Sequence, residues 1–143
     1  MTQPVSAGSG YDAAAILLAA VIGVVVLLAV VIWRKGRKLP GEHVFRASRL
    51  SSGNRIFPTQ VQITPQSIMH YTPEWFGRKE HSIHIAHVAS VRIDTNLMFS
   101  DVVIESSGGT STVTCHGHSK ADAARIKELV EQHQSGYYRT RHA

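Results

Sequence analysis

Three hydrophobic patterns follow one another along the chain. From Ala13 to Trp33 every position is apolar (AAAILLAAVIGVVVLLAVVIW), 21 residues without a charged or strongly polar side chain. As a helix rising about 1.5 Å per residue this stretch would be roughly 31 Å long, enough for a hydrocarbon core of about 30 Å. It has no polar stripe, so its surroundings must be apolar on every side. The roughly 100 residues that follow are too few to surround it, so a membrane-spanning helix is predicted. No Lys or Arg precedes it, and Trp33-Arg34-Lys35 follows it. A cleaved signal peptide carries its positive charge first, so an uncleaved anchor is expected. Gly23 has no small partner four positions away and gives no helix-pairing motif.

After Glu42 the period changes to two. Strands are predicted at His43–Arg49 and Ile56–Thr64, with Ser51-Ser52-Gly53-Asn54 as the turn between them. Val61 and Ile63 alternate with Gln60, Gln62 and Thr64, and Pro58 demands an edge or a bulge. Thr64-Pro65-Gln66-Ser67 reads as a tight turn into Ser67–Tyr71. The stretch Thr72–Lys79, TPEWFGRK, breaks that strand. Lys79–Ile85, with Ile83 and Ile85 inward, and Val88–Thr95, with Val91 and Ile93 against Arg92 and Asp94, come next. Phe99–Ser106 and Thr110–His116 flank a hairpin turn at Ser107-Gly108-Gly109. Val113 and Cys115 share one face of the last strand; Thr112, Thr114 and His116 share the other.

The third pattern has helical period. Ile126, Leu129, Val130 and His133 lie at i, i+3, i+4 and i+7. Ser119 caps this helix, Asp122 three positions on supports the cap, and Gly136 ends it after Ser135. One apolar stripe suits a helix that covers the open end of a curved sheet. The predicted organisation is an exterior disordered tail at 1–12, a transmembrane helix at 13–33, a basic linker at 34–41, an α+β domain at 42–134 and a C-terminal tail at 135–143. Seven or so antiparallel strands and one C-terminal helix make up that domain.

Charge adds direction. The net charge of +5 divides as −1 before the anchor, +4 in Arg34, Lys35, Arg37 and Lys38, and +2 beyond them. The basicity is a stop-transfer flank facing anionic lipid, not a nucleic-acid footprint. Positive flanks stay cytoplasmic, so the N-terminus is expected outside and the domain inside. Trp33 suits the interface, and with Arg34, Lys35, Arg37 and Lys38 it forms the expected anchor edge. A single cysteine, Cys115, fits a reducing compartment.

Chemistry is sparse. Nine histidines include His81, His84 and His87 at spacing three. On a strand His81 and His84 point to opposite faces, so no metal site is expected. Gly117 and the helix start are expected to interrupt the last strand before His116 and His118 can act together. Cys115, inward on a strand, reads as an inert core thiol. No nucleophile elbow, phosphate loop, paired carboxylates or zinc spacing occurs. Neither a catalytic residue nor a cofactor, nucleic acid or small-molecule substrate is expected. Trp75 and Phe76, next to Arg78 and Lys79 at a predicted hairpin tip, form the best candidate contact with a partner or membrane.

The sequence resembles bacterial pleckstrin-homology (PH) domains on small membrane proteins, over about Glu42 to His133. The stretches carrying the likeness are Val61–Ile68 (VQITPQSI), Ile83–Val88 with Val91 and Ile93, and Leu97–Gly109 (LMFSDVVIESSGG). His84 stands where proline is usual there, and Ser100 where glycine is. The resemblance implies a PH-like barrel and a non-enzymatic interaction module. It also makes Arg46, Arg49 and Arg55 possible contacts for an anionic ligand, since cations near this hairpin hold phosphate head groups in eukaryotic PH domains. The expected protein is an accessory or scaffold subunit of a larger assembly in a bacterial inner membrane, with the bilayer and other membrane subunits as partners. Alternatives are a tethered lipid or small-ligand sensor and a self-assembling homo-oligomer.

Overall fold

The computed structural model describes residues 9–108 and 112–141. The chain divides after Lys35 into two units, the second beginning at Gly36. The first contains helix α1, Ser9–Lys35, which is long and apolar enough to cross a membrane. Its Leu, Ile and Val side chains are exposed in the monomer. Asp12 lies in its first turn and Arg34 and Lys35 in its last, each sign favourable to the helix dipole. Arg34 and Lys35 therefore belong to the helix rather than to a linker.

The second unit holds two antiparallel sheets and a helix. Strands β1 (His43–Arg46), β2 (Gln60–Ile63), β3 (Ser67–Pro73) and β4 (Arg78–His84) form one sheet in sequence order. A single 3-10 turn, Ile85–His87, leads to the second sheet: β5 (Val88–Thr95), β6 (Ser100–Ser106) and β7 (Thr112–His118). Helix α2, Lys120–Arg141, closes the chain. Among the described residues the seven antiparallel strands and terminal helix follow the expected order. Gly109 and Thr110 of the last hairpin lie outside the described residues.

Alternation decides the core. Val61, Ile63, Ile68 and Ile83 from the first sheet meet Val102, Ile104, Val113 and Cys115 from the second. The α2 residues Ile126, Leu129 and Val130 bury against them, each worth roughly 1.5–3 kcal/mol. Ser119 caps α2 as expected: its Oγ accepts the Asp122 N–H at 3.0 Å, and its carbonyl accepts that of Ala123 at 2.9 Å.

Three expectations fail for physical reasons. First, β1 stops at Arg46 and β2 starts only at Gln60. Ala47 still donates to the Thr59 carbonyl, but Ser48 donates to Gly117 on β7, so the chain leaves its sheet there. Pro58, buried and without an N–H, cannot extend β2 backward. Second, Gly136 does not end α2. Tyr137 packs against the core and the Tyr138 hydroxyl donates to the Ala86 carbonyl at 3.3 Å. These contacts offset the roughly 1 kcal/mol a helical glycine costs. Third, Gly117 does not interrupt β7. With φ +75° it absorbs a bulge in which the β6–β7 register shifts between Ser100 and Val102. His118 is thereby turned inward and fully buried, while His116 stays exposed.

Candidate functional site

The residues expected to form the anchor edge fall on both units. Trp33 is exposed on α1. Residues 36–41 are a strap on the domain, not a free linker. Gln60, fully buried, donates from Nε2 to the Arg37 carbonyl and accepts the Leu39 N–H at Oε1, both at 2.8 Å. Arg46 Nη1 donates to the Gly36 carbonyl at 3.0 Å. Gly41 lies so close to β2 that a Cβ there would come within 2.7 Å of Gln62 Nε2. The strap thus runs from the Arg46–Gln60 end of the sheet back toward His43, which pairs with Ile63. Arg37 and Lys38 are exposed along it. Arg46 serves the strap and stands apart from Arg49 and Arg55.

Beyond the Arg46–Gln60 end lies the loop 47–59. It is organised by Asn54, whose Nδ2 donates to Ser51 Oγ (2.9 Å) and to the His116 carbonyl (3.2 Å). Its Oδ1 accepts from the Thr59 N–H at 2.9 Å and the Thr59 hydroxyl at 3.1 Å. Ser51 and Asn54 are buried, so the residues around them face out: Arg49, Leu50, Arg55 and Ile56 are exposed.

The tip of the β3–β4 hairpin is Glu74–Gly77. Glu74 N–H donates to the Gly77 carbonyl at 3.3 Å, and Gly77 takes φ +99°, a conformation favouring glycine. Trp75 is half exposed and meets Phe57 edge-on, ring centroids 5.0 Å apart at 80°. Phe76 is 98% exposed. Lys79 Nζ lies 2.7 Å from Glu74 and Arg78 Nε 2.7 Å from Glu80. Both pairs are solvated, so they hold the cations in place without contributing much stability. An open groove of about 640 Å³ separates this tip from residues 53–59.

The β5–β6 hairpin completes the same end. Asn96 N–H donates to the Phe99 carbonyl at 2.8 Å, which leaves Leu97 and Met98 at the tip, 92% and 68% exposed. They line a second depression, about 590 Å³, with Ser51, Ser52 and His116. Of the residues singled out by sequence, Trp75, Phe76 and Arg55 line one groove. Leu50, Ile56, Leu97 and Met98 escaped the sequence reading. Their signal was position: each sits beside a turn residue, where an apolar side chain has no strand face to enter.

His116 Nδ1 lies 3.1 Å from Asp101 Oδ2, and Asp101 Oδ1 accepts the Gly117 N–H at 2.8 Å. Partial burial opposes the Asp101 charge, but the Gly117 and His116 contacts outweigh it and hold the carboxyl below its ordinary range. Burial pulls the His70 pKa down, with His81 and His116 adding to the effect. Burial also pushes the Cys115 thiol up to about 12, with Asp101 contributing, which leaves it protonated and unreactive at neutral pH. His84 stacks edge-on with His87 and Tyr137 at the far end of the domain. Among the described residues no group of three His, Cys, Asp or Glu side chains is placed to hold a metal ion. Against family models, curated proteins and solved structures, the chain finds no match.

Proposed function

We propose that this is a single-pass protein of a bacterial inner membrane whose cytoplasmic, PH-like domain is a non-enzymatic accessory or scaffold subunit of a larger membrane assembly. The observation carrying this reading is the strap. Gln60 and Arg46 fix residues 36–39 to the domain, so its first ordered residue directly follows a helix able to span a bilayer. Tethering of that kind removes most of the translational cost of a contact, and a modest patch becomes effective. Orientation follows from Asp12 before the apolar run and Arg34, Lys35, Arg37 and Lys38 after it. The order of seven strands and a closing helix supports the PH-like assignment. Trp75, Phe76, Arg78 and Lys79 supply a contact surface for a partner or the bilayer.

The test is purification of the full-length protein from its native membrane in nanodiscs, with mass spectrometry of what accompanies it. Stoichiometric membrane proteins are expected. A clean monomer would exclude the subunit role, and a pure homo-oligomer would replace it with self-assembly.

A further inference from the structure

The strap has a direction, and the direction selects an occupant for the loop end. Gly36 is held by Arg46, the last residue of β1, and the next residue, Ala47, opens the loop 47–59. The chain therefore enters the domain at the same end that carries Leu50, Ile56, Phe76 and Leu97. Only two residues, Arg34 and Lys35, separate Trp33 from Gly36, at most about 11 Å of chain. With Trp33 at the edge of a bilayer, the end bearing Gly36 is the one the anchor keeps near lipid. The opposite end, formed by the Thr64–Ser67 turn, the 3-10 turn and Tyr138, lies the length of the seven-residue β3 away, roughly 20 Å.

We infer that the loop end of the domain lies against the membrane that holds the anchor, with Phe76, Leu97 and the edge of Trp75 in the interfacial layer and Arg49, Arg55, Arg78 and Lys79 on anionic head groups.

Two features converge on lipid rather than on a protein partner, and a third lets weak contacts suffice. The exposed apolar groups are spread over three loop tips: Leu50 and Ile56 on one, Trp75 and Phe76 on the second, Leu97 and Met98 on the third. Spaced apolar tips flanked by cations fit a fluid layer that closes around each one. The charge is complementary: Arg49 and Arg55 are exposed beside Leu50 and Ile56, and Arg78 and Lys79 flank Phe76, where their solvated partners Glu80 and Glu74 leave them open to head groups. Attachment is intramolecular, so individually weak insertions suffice. The inference goes beyond the subunit role and leaves the far end of the domain, with α2, for protein contacts.

The experiment uses the full chain with Trp33→Phe, which leaves Trp75 as its sole tryptophan. It is placed in nanodiscs of phosphatidylcholine and phosphatidylglycerol, with and without acyl-chain bromination. Brominated lipid is expected to cut Trp75 emission by about two-fold or more, the range for a ring in the interfacial layer. A second chain, Trp33→Phe/Trp75→Phe/Tyr138→Trp, moves the probe to the far end and is expected to lose little. Phe76→Ser with Leu97→Ser, in the first background, should reduce Trp75 quenching while circular dichroism stays unchanged. Replacing phosphatidylglycerol by phosphatidylcholine, or adding salt, should also reduce it. Unquenched Trp75, or equal quenching at Trp75 and position 138, overturns the inference. Because no partner is present, the outcome is separate from that of the purification experiment.

Discussion

The side chain of Gln60 spans the gap between sheet and strap, its Nε2 2.8 Å from the Arg37 carbonyl oxygen. Its Oε1 takes the Leu39 N–H at the same distance, so one buried amide satisfies a donor and an acceptor of a segment that belongs to no strand. This fixes the strap to the domain, and the proposed placement at the membrane depends on it. Gln60→Met keeps length and bulk while removing both bonds. Each is worth on the order of 1 kcal/mol. The Leu39 amide should then exchange with solvent about ten-fold faster or more, a tenfold change corresponding to about 1.4 kcal/mol. Amides of β3 and β4 should be unchanged. Hydrogen exchange read by mass spectrometry on the nanodisc-embedded chain measures both, and equal protection of the strap in the two proteins would show that it is held by something else.

Gly117 seats the whole loop 47–59. A Cβ at this position would collide with the Ser51 side chain, and φ +75° disfavours any L side chain. The left-handed backbone costs an alanine about 1–2 kcal/mol and the overpacking about 1–3 kcal/mol more. Gly117→Ala should therefore lower the melting temperature by on the order of 10 °C or more for a domain of this size. Ser51→Gly removes the collision but also the bonds from Asn54 and to Ser48, so the comparison is made within that background, where the same Gly117→Ala change should cost less. An equal cost in both backgrounds would mean that the crowding is not where the geometry puts it.

Much of this was legible beforehand because alternation and capping are local. The pairs Val61 and Ile63, Val113 and Cys115, and the stripe Ile126, Leu129 and Val130 all enter the core as their spacing predicts. Ser119 caps α2 for the same reason. What failed depends on contacts distant in sequence. Gln60 and Asn54 look like surface residues, yet are buried because backbone groups of residues 37, 39, 59 and 116 satisfy them. Gly136 reads as a stop, yet the helix continues because Tyr138 finds the Ala86 carbonyl. Trp75 and Phe76 were visible between a proline and a glycine. Leu97 and Met98 were not singled out, since they directly precede the strand expected from Phe99 and no cation beside them marks a contact.

Cys115 should be silent to thiol reagents. It is fully buried with its pKa pushed to about 12, so at pH 7.4 its thiolate fraction is on the order of 1 in 10,000 or less. Iodoacetamide should add no mass to the folded chain over hours and one adduct once the domain is unfolded in urea. Rapid alkylation of the native protein would place the thiol at the surface and reopen its candidacy as a nucleophile.

His118 sets the pH at which the domain weakens. Its ring is fully buried on the inner side of the β7 bulge, and neither nitrogen has a hydrogen-bond partner among the described residues. Burial pulls its pKa down to about 4; Asp122 and Asp101 pull the other way, and His70 adds to the lowering. The sign follows from proton counting. Above 6.5 the ring is neutral folded or unfolded, and its stability is fully retained. Below 6.5 the unfolded chain takes up a proton that the folded domain refuses, so stability falls as pH drops toward 4 and then levels. Over that window the loss is on the order of 3 kcal/mol. His70, also held low by burial, contributes with the same sign. Asp101 acts separately, because its depressed carboxyl keeps its contribution until the pH falls below the ordinary carboxylate value. His118→Phe removes the orphaned ring nitrogens, which cost about 1–3 kcal/mol at any pH. The variant should therefore melt higher than the natural protein at pH 7.5, and its melting temperature should fall less between pH 7 and pH 4.5. Thermal melts of both chains in nanodiscs across that range decide it: parallel curves would assign the acid sensitivity to His70 or to surface groups and place His118 where water reaches it.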